Sequence, residues 1–320
     1  MHEPLVSIII PTFNRPDILP DTINNVLAQT WQNTQIIIIE DGTSEKSMEV
    51  VKSYNDDRII YKKTKENLGC AGARMFGIQF SEGDFITFLD DDDEWTNNYL
   101  TNQYKIFKGN PSLDFVMCDY QVQSDNIDKH IHNMKPFAIN FKKMIHQRPG
   151  PFFQCCMFKN KILENIEELM DRNAVPSEDW DFFMNLAMRN PSIGYSPNID
   201  FKWNYSKTSQ SANLFLEAKS LEYIIQKHRK SIIQICGRII LSDHFRRIAR
   251  IYERVNDLLS VNKFYGKAFK SAPFWWKNIL YKFLLTWGTK IGLQFISCLR
   301  KMRNNNVLVC CFNFFGRLLF

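Results

Sequence analysis

A chain of 320 residues, 45% hydrophobic and 14% aromatic, can bury one large core or two smaller ones. This composition excludes a disordered, collagen-like or low-complexity protein. The net charge of +6 is unevenly distributed, because residues 1–225 contain 22 Lys and Arg against 31 Asp and Glu, whereas residues 226–320 contain 18 against 3. We therefore predict an acidic domain at 1–225 and a basic region at 226–320 that meet different partners.

Strand and helix signals alternate along the first 90 residues. Apolar, β-branched runs predict strands at 5–10, 35–39, 58–62 and 85–89. Helically spaced apolar residues predict intervening helices at 17–30, 44–54 and 71–80. Alternation with short connections predicts a mostly parallel sheet covered by helices on both faces.

Later segments give weaker signals. Two strands are predicted at 113–118 and 152–159, and two helices at 164–170 and 180–188, the second after a turn and N-cap at 176–179. A helical pattern with interleaved arginines covers 231–259, and aromatic residues among Lys and Arg follow it, including Trp287 and Phe295. No uncharged run after residue 226 reaches the ~18–20 apolar residues of a membrane-spanning helix.

The start of the chain and its cysteines predict a cytosolic protein. Residues 1–4 have no basic segment, and the apolar run after them stops at Pro11, so we expect no secretory signal. The eight cysteines form no Cys-x-x-Cys pair and no Cys/His spacing typical of a metal site. They are interpreted as reduced thiols, mostly small buried side chains.

Charged and turn-forming residues gather where three predicted strands end. The three segments are Pro11-Thr-Phe-Asn-Arg15, Glu40-Asp-Gly-Thr43 and Asp90-Asp-Asp-Asp93. Each alone could be a solvated turn, because Asp, Asn and Gly are common turn formers. In open α/β sheets, however, ligands bind outside the carboxyl ends of the strands. Three such segments at one edge therefore predict a binding site, and the four adjacent carboxylates indicate a bound cation.

Five stretches follow one another in a characteristic order: VSIIIPTFNR (6–15), EDGT (40–43), ENLGCAGAR (66–74), GDFITFLDDDDEW (83–95) and EDWDFF (178–183). Together they resemble the family 2 glycosyltransferases of GT-A fold, over roughly the first 205 residues. The resemblance implies a GT-A type, Rossmann-like nucleotide-binding sheet flanked by helices, followed by an α-helical C-terminal region. Segments 150–158 and 204–211 depart from the family pattern on the acceptor side, so the acceptor stays open.

The resemblance also implies a donor site at the strand ends. Asp41 would accept a hydrogen bond from a uracil ring N–H, and Arg74 would contact a phosphate, with a surface position as its alternative. The acidic cluster would be the D-x-D motif, in which Asp92 holds a divalent cation, Mn²⁺ or Mg²⁺, and Asp90 or Asp91 assists the metal or reaches the ribose. Alternation along an extended segment would point Asp90 and Asp92 to the same side. The implied donor-binding residues are Pro11, Thr12, Phe13, Asn14, Arg15, Asp41, Asn67, Arg74, Asp90 and Asp91.

A catalytic base is implied on Asp179, with Glu178 and Asp181 as supporting neighbours. One base and one metal fit a single in-line displacement with inversion. The alternative for Glu178 and Asp179 is that they complement the dipole of a helix that starts there.

The expected function is metal-dependent, inverting transfer of a hexose-type sugar from a UDP-sugar to a saccharide or lipid-linked acceptor in cell-surface glycan biosynthesis. A sugar-nucleotide nucleotidyltransferase is one alternative. Such an enzyme would typically have a Gly-rich phosphate loop after the first strand, and the sequence P-T-F-N-R-P found there is not one. An inactive scaffold of the same fold is another, and its signature would be decay of the acidic motifs, which are intact.

The basic region 226–320 suits an anionic membrane surface, because Trp and Phe lie among Lys and Arg. We expect it to attach a cytoplasmic enzyme peripherally to the inner membrane face. Packing on the catalytic core or on a partner is an alternative. Nucleic acid is not expected, since no recognised binding motif accompanies the basic residues.

Overall fold

The computed structural model describes residues 3–43, 45–124, 127–204 and 212–285. The chain divides into two compact units, Met1–Ile224 and Ile225–Phe320. Most of the departing segment 204–211 lies outside the described residues, as do Trp287 and Phe295.

All seven elements predicted in the first 90 residues are present, with bounds shifted by a few positions. They are β1 (Val6–Thr12), α1 (Leu19–Leu27), β2 (Thr34–Glu40), α2 (Lys46–Ser53), β3 (Ile59–Lys63), α3 (Gly69–Ile78) and β4 (Phe85–Phe88). The four strands are parallel in the order β3-β2-β1-β4. Every residue of β1 and β2 is buried, which explains their continuous apolar runs.

Beyond β4 the sheet becomes mixed. Its elements are β5 (Glu94–Trp95), α4 (Tyr99–Gly109), β6 (Phe115–Ser124), β7 (Ile127–His132), α5 (Lys135–Ile139), α6 (Phe141–Gln147), β8 (Cys156–Lys159), α7 (Glu178–Met188) and β9 (Ile193–Asn204). Among the described residues the sheet order is β3-β2-β1-β4-β8-β6-β9-β5, with β7 also paired to β6. β8 is antiparallel to both neighbours, and β9 is parallel to β6. The parallel half therefore carries the predicted strand-end loops.

Two predictions in the part of the chain after β4 are wrong in part. The helix expected at 164–170 is a short 3-10 turn, Ile166–Glu168, which follows Asn165 in the left-handed conformation (φ 55°). The strand expected at 152–159 starts at Cys156, because Phe153–Cys155 form another 3-10 turn. Helices α4, α5 and α6 and strands β5, β7 and β9 were not predicted.

The C-terminal region is helical, as predicted. It contains α8 (Leu214–Lys227), which crosses the boundary of the two units, then α9 (Arg229–Arg254), α10 (Leu258–Ser271) and α11 (Trp276–Leu285). A kink divides α9 at Gly237, whose positive φ of 83° suits a residue without Cβ. Tyr252 of α9 stacks on Phe264 of α10 with ring centroids 5.6 Å apart.

Within the described residues, no helix has both the length and the apolarity that crossing a bilayer requires.

Candidate functional site

The segment that follows β4, Asp90–Asp93, is a turn and is called the acidic turn below. The strand ends at Phe88, and the N–H of Asp93 donates to the Asp90 carbonyl (3.2 Å). The extended geometry that we used to align Asp90 with Asp92 is therefore wrong. Burial first, and the charge of Asp90 second, raise the pKa of Asp92.

The segment Pro11-Thr-Phe-Asn-Arg15, which ends β1 and continues beyond it, is called the β1 loop below, and direct bonds tie it to the acidic turn. Thr12 donates its hydroxyl to Asp91 (2.7 Å), and Arg15 Nη1 donates to both Asp91 (2.9 Å) and Asp92 (3.0 Å). The hydroxyl of Thr22 donates to the Asp91 carbonyl (2.8 Å). Asp91 is buried, and this burial raises its pKa to about 6. Asp92 keeps 37% of its side chain exposed, so it is the more accessible of the two carboxylates.

Buried Glu40 holds the rest of the β1 loop, a role that the sequence did not reveal. Its Oε1 accepts the backbone N–H groups of Asn14 (3.0 Å) and Gly42 (2.8 Å). Asn14 in turn accepts the N–H of Thr43 through its Oδ1 (2.9 Å). A carboxylate at the end of a fully buried strand was the available signal, because such a group needs partners. Phe13 of this loop is 49% exposed.

Asp41 lies at the predicted edge, but both of its carboxylate oxygens already accept hydrogen bonds. Oδ1 accepts from the Thr64 hydroxyl and from the N–H of Leu68, each at 2.8 Å, and Oδ2 accepts from the N–H of Gly69 (2.7 Å). These N–H groups open helix α3, so the carboxylate also meets the positive end of its dipole. Asp41 therefore fastens β2 to α3, and a uracil N–H would have to share its oxygens.

A cleft of about 560 Å³ opens beside this junction. Its lining residues are Asn67, Leu68, Gly69, Arg172, Asn173 and Val175. Arg172 was not predicted, and its Nη2 donates to the Asn67 carbonyl (3.4 Å). The cleft is open to solvent.

Arg74 joins the acidic turn to the start of α7. It donates to Asp90 Oδ1 through Nη2 (2.7 Å) and to Glu178 Oε1 through Nη1 (3.0 Å). Its Nη1 also lies 3.7 Å from Asp179 Oδ1. The side chain is 2% exposed and lies over the Phe153 ring, with Cζ 4.9 Å from the centroid. The surface alternative for Arg74 is wrong, and its two terminal nitrogens are already committed to carboxylates.

The Asp179 carboxylate is held at the site by the backbone of the neighbouring turn, where the N–H of Phe153 donates to its Oδ2 (3.3 Å). Burial, aided by the charges of Glu178 and Asp90, raises the pKa of Asp179 to about 8 despite the opposing charge of Arg74. Such a carboxylate is a stronger base than an exposed one.

The other acids of helix α7 have different surroundings. Glu178 starts the helix and pairs with Arg74, so it lies at the site. Asp181 is fully buried and accepts a hydrogen bond from Asn185 (3.3 Å), one turn later in the same helix. All three acids occupy the first turn, so the dipole explanation holds alongside any functional one.

Gln154 and Asn204 complete the surroundings of the acidic turn, and neither was predicted as a site residue. The Gln154 side-chain N–H donates to Asp90, and the backbone carbonyl of Gln154 accepts the indole N–H of Trp95 (2.7 Å). Asn204, at the end of β9, donates its N–H to Asp93 (3.0 Å) and its side-chain amide to the Asp92 carbonyl (2.9 Å). Asp93 therefore fixes the turn to β9.

Among the described residues, no group of three or more Asp, Glu, His and Cys side chains could hold a metal ion. The acidic turn nevertheless offers the carboxylate oxygens that hard cations prefer, and Mg²⁺ commonly uses one or two of them together with substrate phosphates. Asp92 and Asp90 fit this chemistry, with Arg15 and Arg74 as their present counter-charges.

Comparison with known proteins finds related glycosyltransferases and similar structures. WfaP of Escherichia coli, a UDP-Glc:alpha-D-GlcNAc-diphosphoundecaprenol beta-1,3-glucosyltransferase, is 26% identical over 80% of this chain and 94% of its own length. The S. aureus TarS 1–349 structure with UDP-GlcNAc superimposes with a TM-score of 0.62 at 15% identity, covering 84% of this chain and 81% of that one. The mannosyltransferase PcManGT of Pyrobaculum calidifontis, solved with GDP-Man and Mn²⁺, has a TM-score of 0.55 at 15% identity and covers 94% and 87%.

The two structural neighbours show the GT-A fold. The model of the family described as Glycosyl transferase family 2 matches residues 7–167, which is half of the chain and includes the β1 loop, Asp41, Arg74 and the acidic turn. The chain belongs to glycosyl transferase family 2.

Proposed function

We propose that the chain transfers a hexose-type sugar from a UDP-sugar to a saccharide or lipid-linked acceptor, with inversion, and that residues 1–225 are its catalytic domain. The observation that carries the proposal is the Arg74 junction, which brings the acidic turn and the Asp179 carboxylate around one buried cation. The activity of WfaP on a diphosphoundecaprenol-linked sugar supports the donor and acceptor classes.

The residues divide the chemistry between them. Asp179 takes the proton of the acceptor hydroxyl while that oxygen bonds to the anomeric carbon and the nucleoside diphosphate departs. The β1 loop and Asn67 line the nucleotide pocket, and Asp41 and Asp91 hold its edge. Arg74 acts chiefly by holding Asp90 and Glu178 in place.

A divalent cation is part of the proposal, with Asp92 and Asp90 as its protein ligands. Its chemistry is to neutralise the charge that develops on the departing diphosphate. Support comes from the Mn²⁺ in PcManGT and from the two carboxylates of the acidic turn.

A thermal-shift series tests donor and metal together. UDP, GDP and their sugars are added to the full chain with Mn²⁺ or with EDTA. A bound nucleotide at 100 times its Kd stabilises the fold by ~2.7 kcal/mol, and we expect this for a UDP-sugar with Mn²⁺. The Asp92→Asn variant should lose the metal-dependent part of the shift. If none of the nucleotides or nucleotide sugars gave a metal-dependent thermal shift, the proposal would be wrong.

We further propose a cytoplasmic location at the inner membrane face, with contact through 226–320. Residues 226–320 contain 18 basic residues and only 3 acidic ones, which supports this location, as does the lipid-linked acceptor of WfaP.

A further inference from the structure

Helix α11 has a fixed orientation in the C-terminal unit, set by one buried amide. Asn278 is 2% exposed and donates its side-chain amide to the carbonyls of Ala268 (3.1 Å) and Ala272 (2.7 Å) at the end of α10. Its Oδ1 accepts from Arg246 Nη1 of α9 (2.6 Å). The face of α11 that carries Asn278 is therefore the inner face.

The opposite face is apolar and exposed. Trp276 lies two residues before Asn278, about 200° around the helix, and is 51% exposed. Ile279 is also 51% exposed, and Phe274, in the connection just before the helix, is 92% exposed. We call Phe274, Trp276 and Ile279 the apolar ridge. Large apolar side chains grouped in this way mark an interaction surface.

The charge around the ridge identifies the partner. Lys277 lies beside it, with Nζ 5.6 Å from the Trp276 ring centroid. Residues 225–285 contain 13 Lys and Arg but 3 Asp and Glu, so the unit is strongly positive. A second copy of this surface would be repelled, whereas anionic lipid would be attracted. Trp and Phe beside Lys are also the residues that occupy the boundary between headgroups and acyl chains.

We propose that the apolar ridge inserts into the interface of an anionic bilayer, with Lys277 at the level of the headgroups. The inference deepens the proposed membrane contact by naming the element that makes it. The inference rests on the proposed function only for the reason that the enzyme would need a membrane contact. Vesicle binding is measured without donor or acceptor, so its failure is distinguishable from a failure of sugar transfer.

Co-sedimentation of the full chain with vesicles tests the ridge. Vesicles of phosphatidylcholine alone are compared with vesicles that contain one third phosphatidylglycerol. We expect binding to the anionic vesicles and a loss of at least about tenfold in the triple variant Phe274→Ser, Trp276→Ser and Ile279→Ser, since each change removes apolar surface from the bilayer. Lys277→Gln should weaken binding about fivefold, the contribution of one basic residue near the surface.

Leu259→Ser is the control. Leu259 is 85% exposed in the same unit, but it lies in the first turn of α10, at the end of that helix away from α11. It should bind as the wild type does. An equal loss of vesicle binding in Leu259→Ser and in the triple variant would overturn the inference. A wild-type chain that does not bind anionic vesicles would also overturn it, and would mean that other residues of the chain or a second copy cover the ridge. Light scattering identifies the second-copy case.

Lipid quenching gives a second measurement that does not require the triple variant to fold. Brominated acyl chains quench tryptophan that enters the bilayer, and Trp276→Phe should remove most of the quenching while vesicle binding persists. Quenching that is unchanged in Trp276→Phe would show that another tryptophan enters the bilayer and would refute this assignment.

Discussion

Arg74 is the residue on which the site depends most, because it is a single buried cation among several carboxylates. Asp90, Glu178 and Asp179 all lie within 3.7 Å of its terminal nitrogens. Burial, with the unbalanced charges of Glu178 and Asp90 as a smaller cause, raises the pKa of Asp179 although Arg74 opposes the shift. An arginine suits the position better than a lysine, because its planar fork reaches two carboxylates at once.

Replacing Arg74 with Met should lower stability by about 3–5 kcal/mol, since the change leaves buried carboxylates without their partner. Chemical denaturation measures the loss. Lys202→Met is the control, because its ion pair with Glu94 is partly exposed and such pairs are worth about 0–1 kcal/mol. Equal effects of the two substitutions would show that the Arg74 cluster contributes no more than a surface pair.

Asp179→Asn should abolish sugar transfer while nucleotide binding stays within about twofold, because the amide keeps the shape but cannot accept the proton. Transfer is followed by release of the nucleoside diphosphate, and binding by titration calorimetry. Transfer that survived above a few per cent would remove Asp179 from the role of base.

The pH dependence of transfer follows from the same carboxyl. A base with a pKa of about 8 is mostly protonated at pH 6, so kcat should rise with pH about tenfold per unit and level off above pH 8. Because the folded carboxyl holds its proton more tightly than the unfolded one, its contribution to stability falls as the pH rises from about 4 to 8. Asp179→Asn should therefore melt higher than the wild type at pH 8 and approach it at pH 4. A pH-independent difference in melting would contradict the raised pKa.

At the scale of elements, the sequence predicted secondary structure best where burial alone determined which residues the element contains. The strands β1 and β2 are buried on both faces, so their sequences are unbroken apolar runs that only a covered sheet explains. Strand β9 was missed because it mixes buried and exposed residues and contains Pro197, which weakens the alternation. The two-residue strand β5 exists only through its pairing with β9, a contact between distant parts of the chain.

The candidate site divides in the same way. The carboxylates and the strand ends that carry them are visible in the sequence, and the structure brings the β1 loop, the acidic turn and the start of α7 together. The bonds that hold them are not visible, because Glu40, Gln154 and Asn204 each contact a residue that lies 26, 64 or 111 positions away along the chain. No local pattern encodes such contacts.

Helix α3 packs against the sheet so closely that Gly77 has no room for a methyl group. A Cβ there would lie 2.5 Å from Cγ2 of Ile9 and 3.2 Å from Cγ1 of Ile39. Gly77→Ala should therefore destabilise the protein by about 1–3 kcal/mol, measured by denaturant unfolding. Gly266→Ala is the opposite case. A Cβ built at this position in the interior of α10 would meet no side chain or other element within 4 Å, so the substitution should raise stability by about 0.5–1 kcal/mol. A neutral Gly77→Ala would mean that α3 can shift away from the sheet.

At the scale of the whole molecule, every residue assigned to the site lies in the unit Met1–Ile224. We expect a fragment of residues 1–227, which ends with α8, to keep the UDP-sugar thermal shift with Mn²⁺ and to lose binding to anionic vesicles. The full chain is the reference in both assays. A folded fragment without nucleotide binding would show that the catalytic domain extends beyond residue 225.

The order of the strands also bears on solubility. In the described part of the chain, β3 and β5 are the two ends of the sheet path, and an open sheet end can recruit strands from other molecules. β3 ends in Lys62 and Lys63, and β5 is too short to offer a continuous row of backbone groups. Charge and brevity at strand ends are devices that oppose aggregation. The sheet thus carries the candidate site at the carboxyl ends of its parallel strands, while its two edge strands are poorly suited to pairing with other molecules into fibrils.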